Sequence, residues 1–415
     1  MITKQKTYDT LVCFILLCFG FFGSLSHLFS LGLIFMILFE WLTAEKSSKL
    51  EANPIVIFIS LTGCFFLFLF QSLFDDNLLI SLSSLSPMLP ISLIGLLIIF
   101  RKGSEFSLNS RQIAKYSQTS ILISLLVYIL LSTFFGPQSI FYKFHSGRVE
   151  LFSGNPIPFS YVMLGISVFC LCDWSNSNKK NKISAFSLFL VGVFFSSFMS
   201  GTRGTLLSIF VTSPIIFYYL FKRLKLTLII TISLALFIFS IIYLEGKLFS
   251  NITYFDRISN GIETLIFSTN NDSSVSQRLQ MWSASLKAIS EGPFFGYGIK
   301  ERFTAIQSYL PNSFPTTYSH PHNDLLASTL SIGYLGGLAG FFSLISIFLA
   351  ALLADNKSTD KVCLSIILSI STLITANVST VFFNDISSSW LAFSTYLIWV
   401  LDFKKKENFS KTTIS

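Results

Sequence analysis

Two of the four histidines of the chain lie close together, in the segment Ser319-His320-Pro321-His322-Asn323-Asp324. Proline is favoured at the first position of a helix, because its missing N–H costs nothing there, so Pro321 predicts a helix that begins at this residue. His322 would then lie on the first turn, where the positive end of the helix dipole disfavours the imidazolium form. His320 and His322 would point to nearly opposite sides of this helix, so at most one of them faces a given substrate. The segment predicts a neutral imidazole that can accept a proton, although a helix start with polar caps explains the same residues.

Arg203 and Arg278 are candidates for binding an anion. Arg203 lies in a very short turn, Ser200-Gly-Thr-Arg-Gly-Thr205, between two apolar segments, where a guanidinium needs an anion or a carbonyl as its partner. Arg278 lies near the start of a predicted helix, where a cation opposes the helix dipole. A guanidinium can bind a phosphate or diphosphate with two parallel hydrogen bonds, which gives both residues a functional interpretation. The alternatives are that Arg203 reaches the membrane interface or pairs with a loop carboxylate, and that Arg278, like Arg148, is a surface arginine.

The helix that carries Arg278 is predicted over 275–290. A capping box, Ser274-Val-Ser-Gln277, precedes it, and Glu291-Gly-Pro293 ends it. Four apolar residues recur in it with helical spacing, which predicts that they share one face. These residues are Leu279, Trp282, Leu286 and Ile289. The face would pack on the rest of the protein or lie in the membrane interface, and both alternatives fit the pattern.

Composition and hydropathy are those of a polytopic membrane protein. The chain is 52% hydrophobic and only 12% charged, its mean hydropathy is +0.67, and it contains 47 phenylalanines. Apolar runs long enough to cross about 30 Å of hydrocarbon recur along the whole sequence. We therefore predict an all-α membrane protein with about 12 transmembrane helices, at 8–24, 26–44, 54–73, 80–100, 115–135, 157–173, 183–199, 203–221, 225–244, 323–353, 362–382 and 388–403.

The lysines and arginines predict the orientation in the membrane. With the N-terminus inside, 20 of the 29 basic residues fall on the inner side, as the positive-inside rule requires. The net charge of +8 then reflects topology rather than binding to nucleic acid. Two outer connections are long, and the longer one lies between spans 9 and 10, which suggests a function. The predicted organisation is helices 1–9 in 1–244, a large outer loop with amphipathic helices in 245–321, helices 10–12 in 322–403 and a basic inner tail in 404–415.

The sequence has no motif for a nucleotide, a metal ion or another cofactor. It contains no Gly-rich nucleotide loop, no paired acidic metal motif and no Ser–His–Asp order. The six cysteines lie in or beside apolar runs, and Cys170-Leu-Cys172 has neither zinc-type spacing nor a nearby histidine. We therefore expect no metal site, no cofactor and no disulfide framework.

Five short motifs follow one another around one large outer loop. They are Gly201-Thr-Arg-Gly-Thr205, Arg278-Leu-Gln-Met-Trp282, Pro293-Phe-Phe-Gly-Tyr-Gly298, His320-Pro-His-Asn323 and Gly333-Tyr-Leu-Gly-Gly337. Each motif is short, and their order is the specific feature. Together they resemble the superfamily of O-antigen ligases and O-antigen polymerases, which are multispanning envelope glycosyltransferases of the GT-C-like kind. The resemblance covers roughly residues 140–345 by motif and the whole chain by topology.

This resemblance implies a reaction and a compartment. Members of the superfamily use a glycan on undecaprenyl diphosphate at the periplasmic face of the bacterial inner membrane. The ligase branch moves the glycan to a sugar hydroxyl of lipid A-core, without nucleotide or metal. By position, Arg203 and Arg278 match the arginines assigned to the diphosphate, and His322 matches the proposed catalytic base. The implied partners are the lipid-linked donor, a lipid A-core or glycan acceptor and membrane lipid, with no nucleic acid. The candidate accessory residues of the site are His320, Asn323 and Arg148.

We favour the ligase branch, because a single dominant outer loop ends in Pro-His-Asn. Polymerases share the motifs and differ in the acceptor, which is another undecaprenyl-linked glycan. A flippase or transporter is the third interpretation. It should show internal repeats and ionisable groups at mid-membrane, whereas the candidate residues lie at the predicted outer surface.

Overall fold

The protein is predominantly helical, as the sequence predicts, with only four strands of two residues each among the described residues. The computed structural model describes residues 15, 16, 19, 52–74, 78–100, 108–134, 144–145, 148–149, 155–233, 236, 273–312, 314 and 321–403. Strand β1 (Leu108–Asn109) pairs in parallel with β4 (Leu401–Asp402), and β2 (Phe144–His145) pairs antiparallel with β3 (Arg148–Val149). Both pairs are too short to form a layer of their own.

Fourteen described helices, numbered in chain order, form most of the structure. A 3₁₀ turn at Ser86–Met88 and a π-helical turn at Phe195–Met199 interrupt the regular helices, and Leu224–Ser233 is a further apolar helical stretch. The helices are α1 (Ala52–Ser72), α2 (Leu78–Ser84), α3 (Leu89–Phe100), α4 (Ser110–Phe134), α5 (Pro156–Phe169), α6 (Lys179–Phe194), α7 (Arg203–Phe221), α8 (Ser273–Glu291), α9 (Thr304–Gln307), α10 (Asp324–Ile332), α11 (Tyr334–Leu344), α12 (Ser346–Leu353), α13 (Thr359–Val378) and α14 (Asp385–Val400).

Within the described residues, five helices are long and apolar enough to cross a membrane. They are α1, α4, α6 with its π-helical turn, α7 and α13, and each agrees with a predicted span to within a few residues. The predicted spans 8–24 and 26–44 lie outside the described residues, apart from residues 15, 16 and 19. The protein is therefore a helical membrane protein, while the number of twelve spans and the position of the large loop stay predictions.

Two predicted spans are not single helices. The prediction of one span over 323–353 is wrong, because Gly333 ends α10 with φ +76°, and α11 and α12 then meet at a bend of 58°. If α11 and α12 together cross the membrane, they form a sixth span. The predicted span 80–100 is likewise divided, because a 3₁₀ turn that contains Pro87 separates α2 from α3.

The centre of the bundle is formed by α5 and α14, whose residues are nearly all buried. Trp390 on α14 is 1% exposed and packs edge-on against Phe169 of α5. Gly165 makes this packing possible, since a Cβ there would lie 2.4 Å from the indole ring of Trp390. Helix α13 packs against this centre and also against α7, so the candidate residues rest on a fully packed core.

The predicted amphipathic helix is α8, and it buries the predicted apolar face only in part. Leu279 and Leu286 of the predicted apolar face are 37% and 58% exposed. Trp282 and Ile289 of that face are half-buried, and Ile289 packs against the cluster that includes Ala284 and Ala288. The fully buried residues of α8, on the side of α9 and α10, are Met281, Ala284, Ser285 and Ala288. Helix α8 therefore packs on the protein, and Leu279 and Leu286 face outward.

The loop after α8 is fixed to the end of α10 by backbone hydrogen bonds. The amides of Tyr297 and Gly298 donate to the carbonyls of Leu330 and Ser331, at 2.7 and 2.9 Å. Gly333 faces the same loop, and a Cβ on it would lie 1.9 Å from the carbonyl oxygen of Phe294. Its φ of +76° is also unfavourable for any L side chain. The position of α8 is thus tied to the break between α10 and α11.

We expect Gly333→Ala to destabilise the protein by more than about 1 kcal/mol, because the new methyl group collides with backbone and φ is positive. Gly63→Ala on α1 is the matched control, since a Cβ there has no atom within 4 Å. It should be neutral or slightly stabilising, because alanine is the better helix former. Thermal unfolding of both variants in the same detergent measures the difference, and equal melting temperatures would contradict the close contact at Gly333.

Candidate active site

The helix at the histidine segment begins at Asp324, not at Pro321, so the predicted place of His322 on the first helical turn is wrong. Asn323 is the N-cap, with an extended backbone and a side-chain oxygen that accepts a hydrogen bond from the amide of Leu326 at 3.0 Å. Asparagine is among the best N-cap residues because it satisfies one of the free amides of the first turn. This capping explains why the helix starts three residues later than predicted.

His322 directly precedes the N-cap and has an unusual backbone conformation. Its φ is +52°, in the left-handed region that costs non-glycine residues of order 1 kcal/mol or more. The other described non-glycine residue with positive φ is Lys222, where this conformation is usual because it ends α7. The surrounding structure therefore holds His322 in a strained position, which is often seen at functional sites.

His322 is half-buried and neutral near pH 7. Burial, and to a smaller extent the positive charge of Arg278, lower the pKa of its imidazole from 6.5 to about 4. The sequence also predicted a neutral imidazole, but from the helix dipole. Burial is the main physical cause instead, because it disfavours the charged form.

Arg278 is brought to His322 by a hydrogen bond between α8 and the histidine segment. The indole N–H of Trp282 donates to the carbonyl oxygen of Pro321 at 3.0 Å. Arg278 and Trp282 are four residues apart on α8, so they lie on the same side of the helix. Arg278 lies in the second turn, since α8 begins at Ser273, rather than in the first turn as predicted.

Asn323 and Asp324 connect the same segment to the end of α13. The side-chain amide of Asn323 donates to Asn377 at 3.0 Å. The carboxylate of Asp324 accepts from the amides of Val381 and Phe382 and from the hydroxyl of Thr380. Asp324 is 1% exposed, and burial raises its pKa to about 7 although these hydrogen bonds act in the opposite direction. The turn between α13 and α14 is thus built around this carboxyl group.

Arg203 is the first residue of α7 and is half-buried. The turn before it follows the π-helical turn and is held by hydroxyl groups, with Ser200 donating to Thr202 at 2.9 Å and Thr205 donating to the carbonyl of Ser196 at 2.8 Å. Gly204 lies against the end of α13, where a Cβ would come within 2.7 Å of the side chain of Val378. The start of α7 therefore adjoins the part of α13 that binds Asn323.

The structure brings Arg203, Arg278 and His322 to one end of the bundle through these contacts. Asn323 belongs to the same group, as its cap and its bond to Asn377 show. Arg148 lies on β3, opposite His145, and β3 packs against the π-helical turn before Arg203. His320 lies outside the described residues.

Three residues of this region were not singled out from the sequence. Arg302 is 7% exposed, and its guanidinium carbon lies 4.0 Å from the ring centroid of Phe383. Burial lowers its pKa to about 10, and the charge of Asp324 partly offsets this effect. Asn377 and Thr380 complete the contacts to α10. No local pattern marks these residues, because their roles depend on contacts between segments far apart in the chain.

Metal ions in proteins are commonly held by the side chains of histidine, cysteine, aspartate and glutamate. No group of three or more such side chains is placed to hold a metal in the part of the chain that the structure describes. Among the described residues, Arg278 acts directly on His322, and the buried Arg302 and Asp324 lie beside the same segment. This arrangement can bind an anion and can accept a proton at a neutral imidazole.

The sequence is similar to known transferases of glycans. Residues 186–342 match a family model described as O-antigen ligase, and this range contains Arg203, Arg278 and His322. A relative in Acinetobacter baylyi, described as ComP-specific O-oligosaccharyltransferase, is 25% identical over 232 residues. The matched part is 54% of this chain and 38% of the relative, so the similarity spans less than half of the relative's length.

We expect His322 to titrate near pH 4 rather than near its ordinary value of 6.5, because it is half-buried beside Arg278. NMR of isotope-labelled histidine in the purified protein measures this, and His322→Asn identifies the signal. Asparagine is a suitable replacement because it tolerates the left-handed backbone better than alanine. Arg278→Gln should raise the pKa of His322 only part of the way to 6.5, since burial is the larger cause of the shift. A pKa near 6.5 in the wild type would contradict the buried environment.

Proposed function

Because the chain carries a domain of the O-antigen ligase superfamily, we propose that it transfers a glycan from undecaprenyl diphosphate to a sugar hydroxyl of lipid A-core, at the periplasmic face of the bacterial inner membrane. The comparisons support a membrane-bound glycan transferase of the O-antigen ligase type. The lipid donor, the acceptor and the face of the membrane are parts of the proposal. The observation that carries it is the position of Arg278 beside a neutral, strained His322, which the Trp282–Pro321 hydrogen bond supports, at the end of the bundle where α7 begins with Arg203.

In the proposed reaction, the arginines bind the leaving group and His322 accepts the proton. Arg203 and Arg278 bind oxygens of the diphosphate. An acceptor hydroxyl attacks the anomeric carbon of the glycan, and the bond between this carbon and the diphosphate oxygen breaks. Undecaprenyl diphosphate leaves with the electron pair, the new glycosidic bond forms with inversion, and His322 takes the hydroxyl proton. A diphosphate needs charge stabilisation rather than protonation to leave, so arginines can act there without a metal ion or another cofactor.

Donor binding should itself make His322 a stronger base. Without substrate, burial and Arg278 keep the pKa of the imidazole at about 4. A diphosphate bound between the arginines brings negative charge near the ring, which favours the imidazolium form. The basicity of His322 would then increase when the leaving group is in place, so that proton transfer is coupled to the presence of the donor.

The acceptor defines a second candidate function. The relative in Acinetobacter baylyi is described as an O-oligosaccharyltransferase specific for ComP. This description favours a hydroxyl group of a protein as the alternative acceptor, with the same donor and the same chemistry at the site. Polymerisation of lipid-linked repeat units, as implied by the sequence resemblance, differs from both only in the acceptor.

We expect Arg203→Ala and Arg278→Ala to abolish transfer at wild-type abundance in the membrane. Lysine at either position should restore little activity, because a point cation cannot hold two oxygens as a guanidinium does. Lys287→Ala is the matched control, since this cation lies on α8 but is exposed. Transfer is measured with purified protein, undecaprenyl-diphosphate glycan and acceptor, with EDTA present. Full activity of Arg203→Ala, or loss of wild-type activity in EDTA, would contradict the proposed mechanism.

Deletion of the gene should remove glycan chains from lipid A-core in the native host, and the lipopolysaccharide gel pattern measures this. The same strain complemented with His322→Asn should look like the deletion strain. A single repeat unit retained on the core would indicate a polymerase, and loss of a glycoprotein with unchanged lipopolysaccharide would indicate a protein acceptor. Lipid-linked repeat units trapped at the inner face would instead indicate a flippase and would contradict transfer.

A further inference from the structure

Arg302 is a buried cation, and two of its nitrogen atoms have no hydrogen-bond partner in the part of the chain that the structure describes. It lies in the loop between α8 and α9, and only 7% of its surface is exposed. Its Nε and Nη1 atoms are buried and have no hydrogen-bond partner among the described residues. Hydrogen bonds to charged groups are stronger than average, and a buried donor without a partner carries the full cost of desolvation. Buried polar groups are nearly always hydrogen-bonded, so these two donors are candidates for binding a ligand.

The described neighbours of Arg302 hold it in place but accept no hydrogen bond from Nε or Nη1. One face of the guanidinium lies on the ring of Phe383, whose position is fixed by edge-on packing against Phe68 at 5.6 Å. The nearby carboxyl group of Asp324 affects the pKa of Arg302, but it forms no ion pair with this residue among the described atoms. The oxygens of Asp324 accept hydrogen bonds from the turn between α13 and α14 instead.

Arg302 also lies beside the segment that carries the candidate base. Phe383 follows directly on the residues that bind Asp324, and its own amide donates to the hydroxyl of Thr380 at 3.1 Å. Asp324 is two residues from His322 in the chain. The loop of Arg302 begins at the end of α8, the helix that carries Arg278. The guanidinium is therefore next to the same turn that fixes the histidine segment.

We propose that Arg302 is a third oxyanion-binding residue of the site, whose Nε–H and Nη1–H groups bind a phosphate or carboxylate oxygen of the lipid-linked donor. The proposal rests on the proposed function, since it names a further contact with the same substrate. A phosphate oxygen of the diphosphate and a carboxylate oxygen of an acidic sugar share the required chemistry, because each is an anionic acceptor for a guanidinium. An oxyanion would satisfy the buried donors and would balance the positive charge in this region.

Direct binding tests this proposal without the transfer reaction. Purified protein in lipid nanodiscs is titrated with a short-chain polyprenyl diphosphate that carries no glycan, with inorganic pyrophosphate and with glucuronate. The variants are Arg302→Gln and Arg302→Lys, and Lys300→Gln is the control because Lys300 lies two residues away and is exposed. Arg302→Gln should weaken binding by about tenfold or more, as expected for the loss of a charged hydrogen bond. Arg302→Lys should retain part of the affinity, and Lys300→Gln should bind as the wild type does.

The ligand that loses affinity identifies the source of the oxyanion. Weaker binding of the diphosphates places a phosphate oxygen at Arg302, and weaker binding of glucuronate alone places a sugar carboxylate there; either result supports the proposal. Unchanged affinity for all three ligands overturns it. A lower melting temperature with unchanged affinity also overturns it, because Arg302 would then act only by stabilising the turn around Asp324.

A fallback variant and one additional variant separate a failure of the Arg302 proposal from a failure of the proposed function. If Arg302→Gln does not fold, Arg302→Lys decides, since it keeps the charge and alters the hydrogen-bond geometry. Arg203→Gln is measured beside it. If this variant loses diphosphate binding while the Arg302 variants keep it, the proposed function stands and the role of Arg302 is wrong. If the wild type binds no polyprenyl diphosphate, the proposed function itself fails.

Discussion

The buried carboxyl group of Asp324 is the constraint on which the candidate site depends. It is 1% exposed, and a carboxylate in such a place is stable only if hydrogen bonds replace its lost water. The protein supplies them from two backbone amides and a hydroxyl of the turn between α13 and α14. The first residue of α10 is therefore fixed to a turn that belongs to the packed core. The N-cap residue Asn323 and the left-handed backbone of His322 directly precede this fixed residue.

The main helices could be predicted from the sequence, because apolar runs and capping residues mark them. Spans such as α1, α7 and α13 are marked by long apolar runs, and α8 is marked by its capping box and by the glycine and proline that follow it. Hydropathy alone did not show where an apolar run breaks. Gly333 ends α10 because it alone can approach the carbonyl of Phe294 so closely, and this contact with a distant loop is invisible in the local sequence.

The identities of the candidate residues could be predicted from the sequence, but their structural surroundings could not. Arg203, Arg278 and His322 stand out because they are polar groups in short motifs, and the structure brings their elements together. The start of α10 was misplaced because Pro321 and Asn323 both favour a helix start, and only tertiary contacts decide between them. Arg302 was overlooked because nothing near it in the sequence distinguishes it from a solvated loop charge. Its burial depends on Phe383, which lies far along the chain.

The hydrogen bond from Trp282 to Pro321 also has a mechanical consequence. It joins the middle of α8 to the segment before α10, while the backbone bonds from Tyr297 and Gly298 join the loop after α8 to the other end of α10. Arg278 and His322 therefore lie on segments that this bond joins directly, whereas Arg203 lies on α7 and is linked to the histidine segment through α13. A change at Trp282 would act on the cation of α8 and on the imidazole together, although it touches neither charged group.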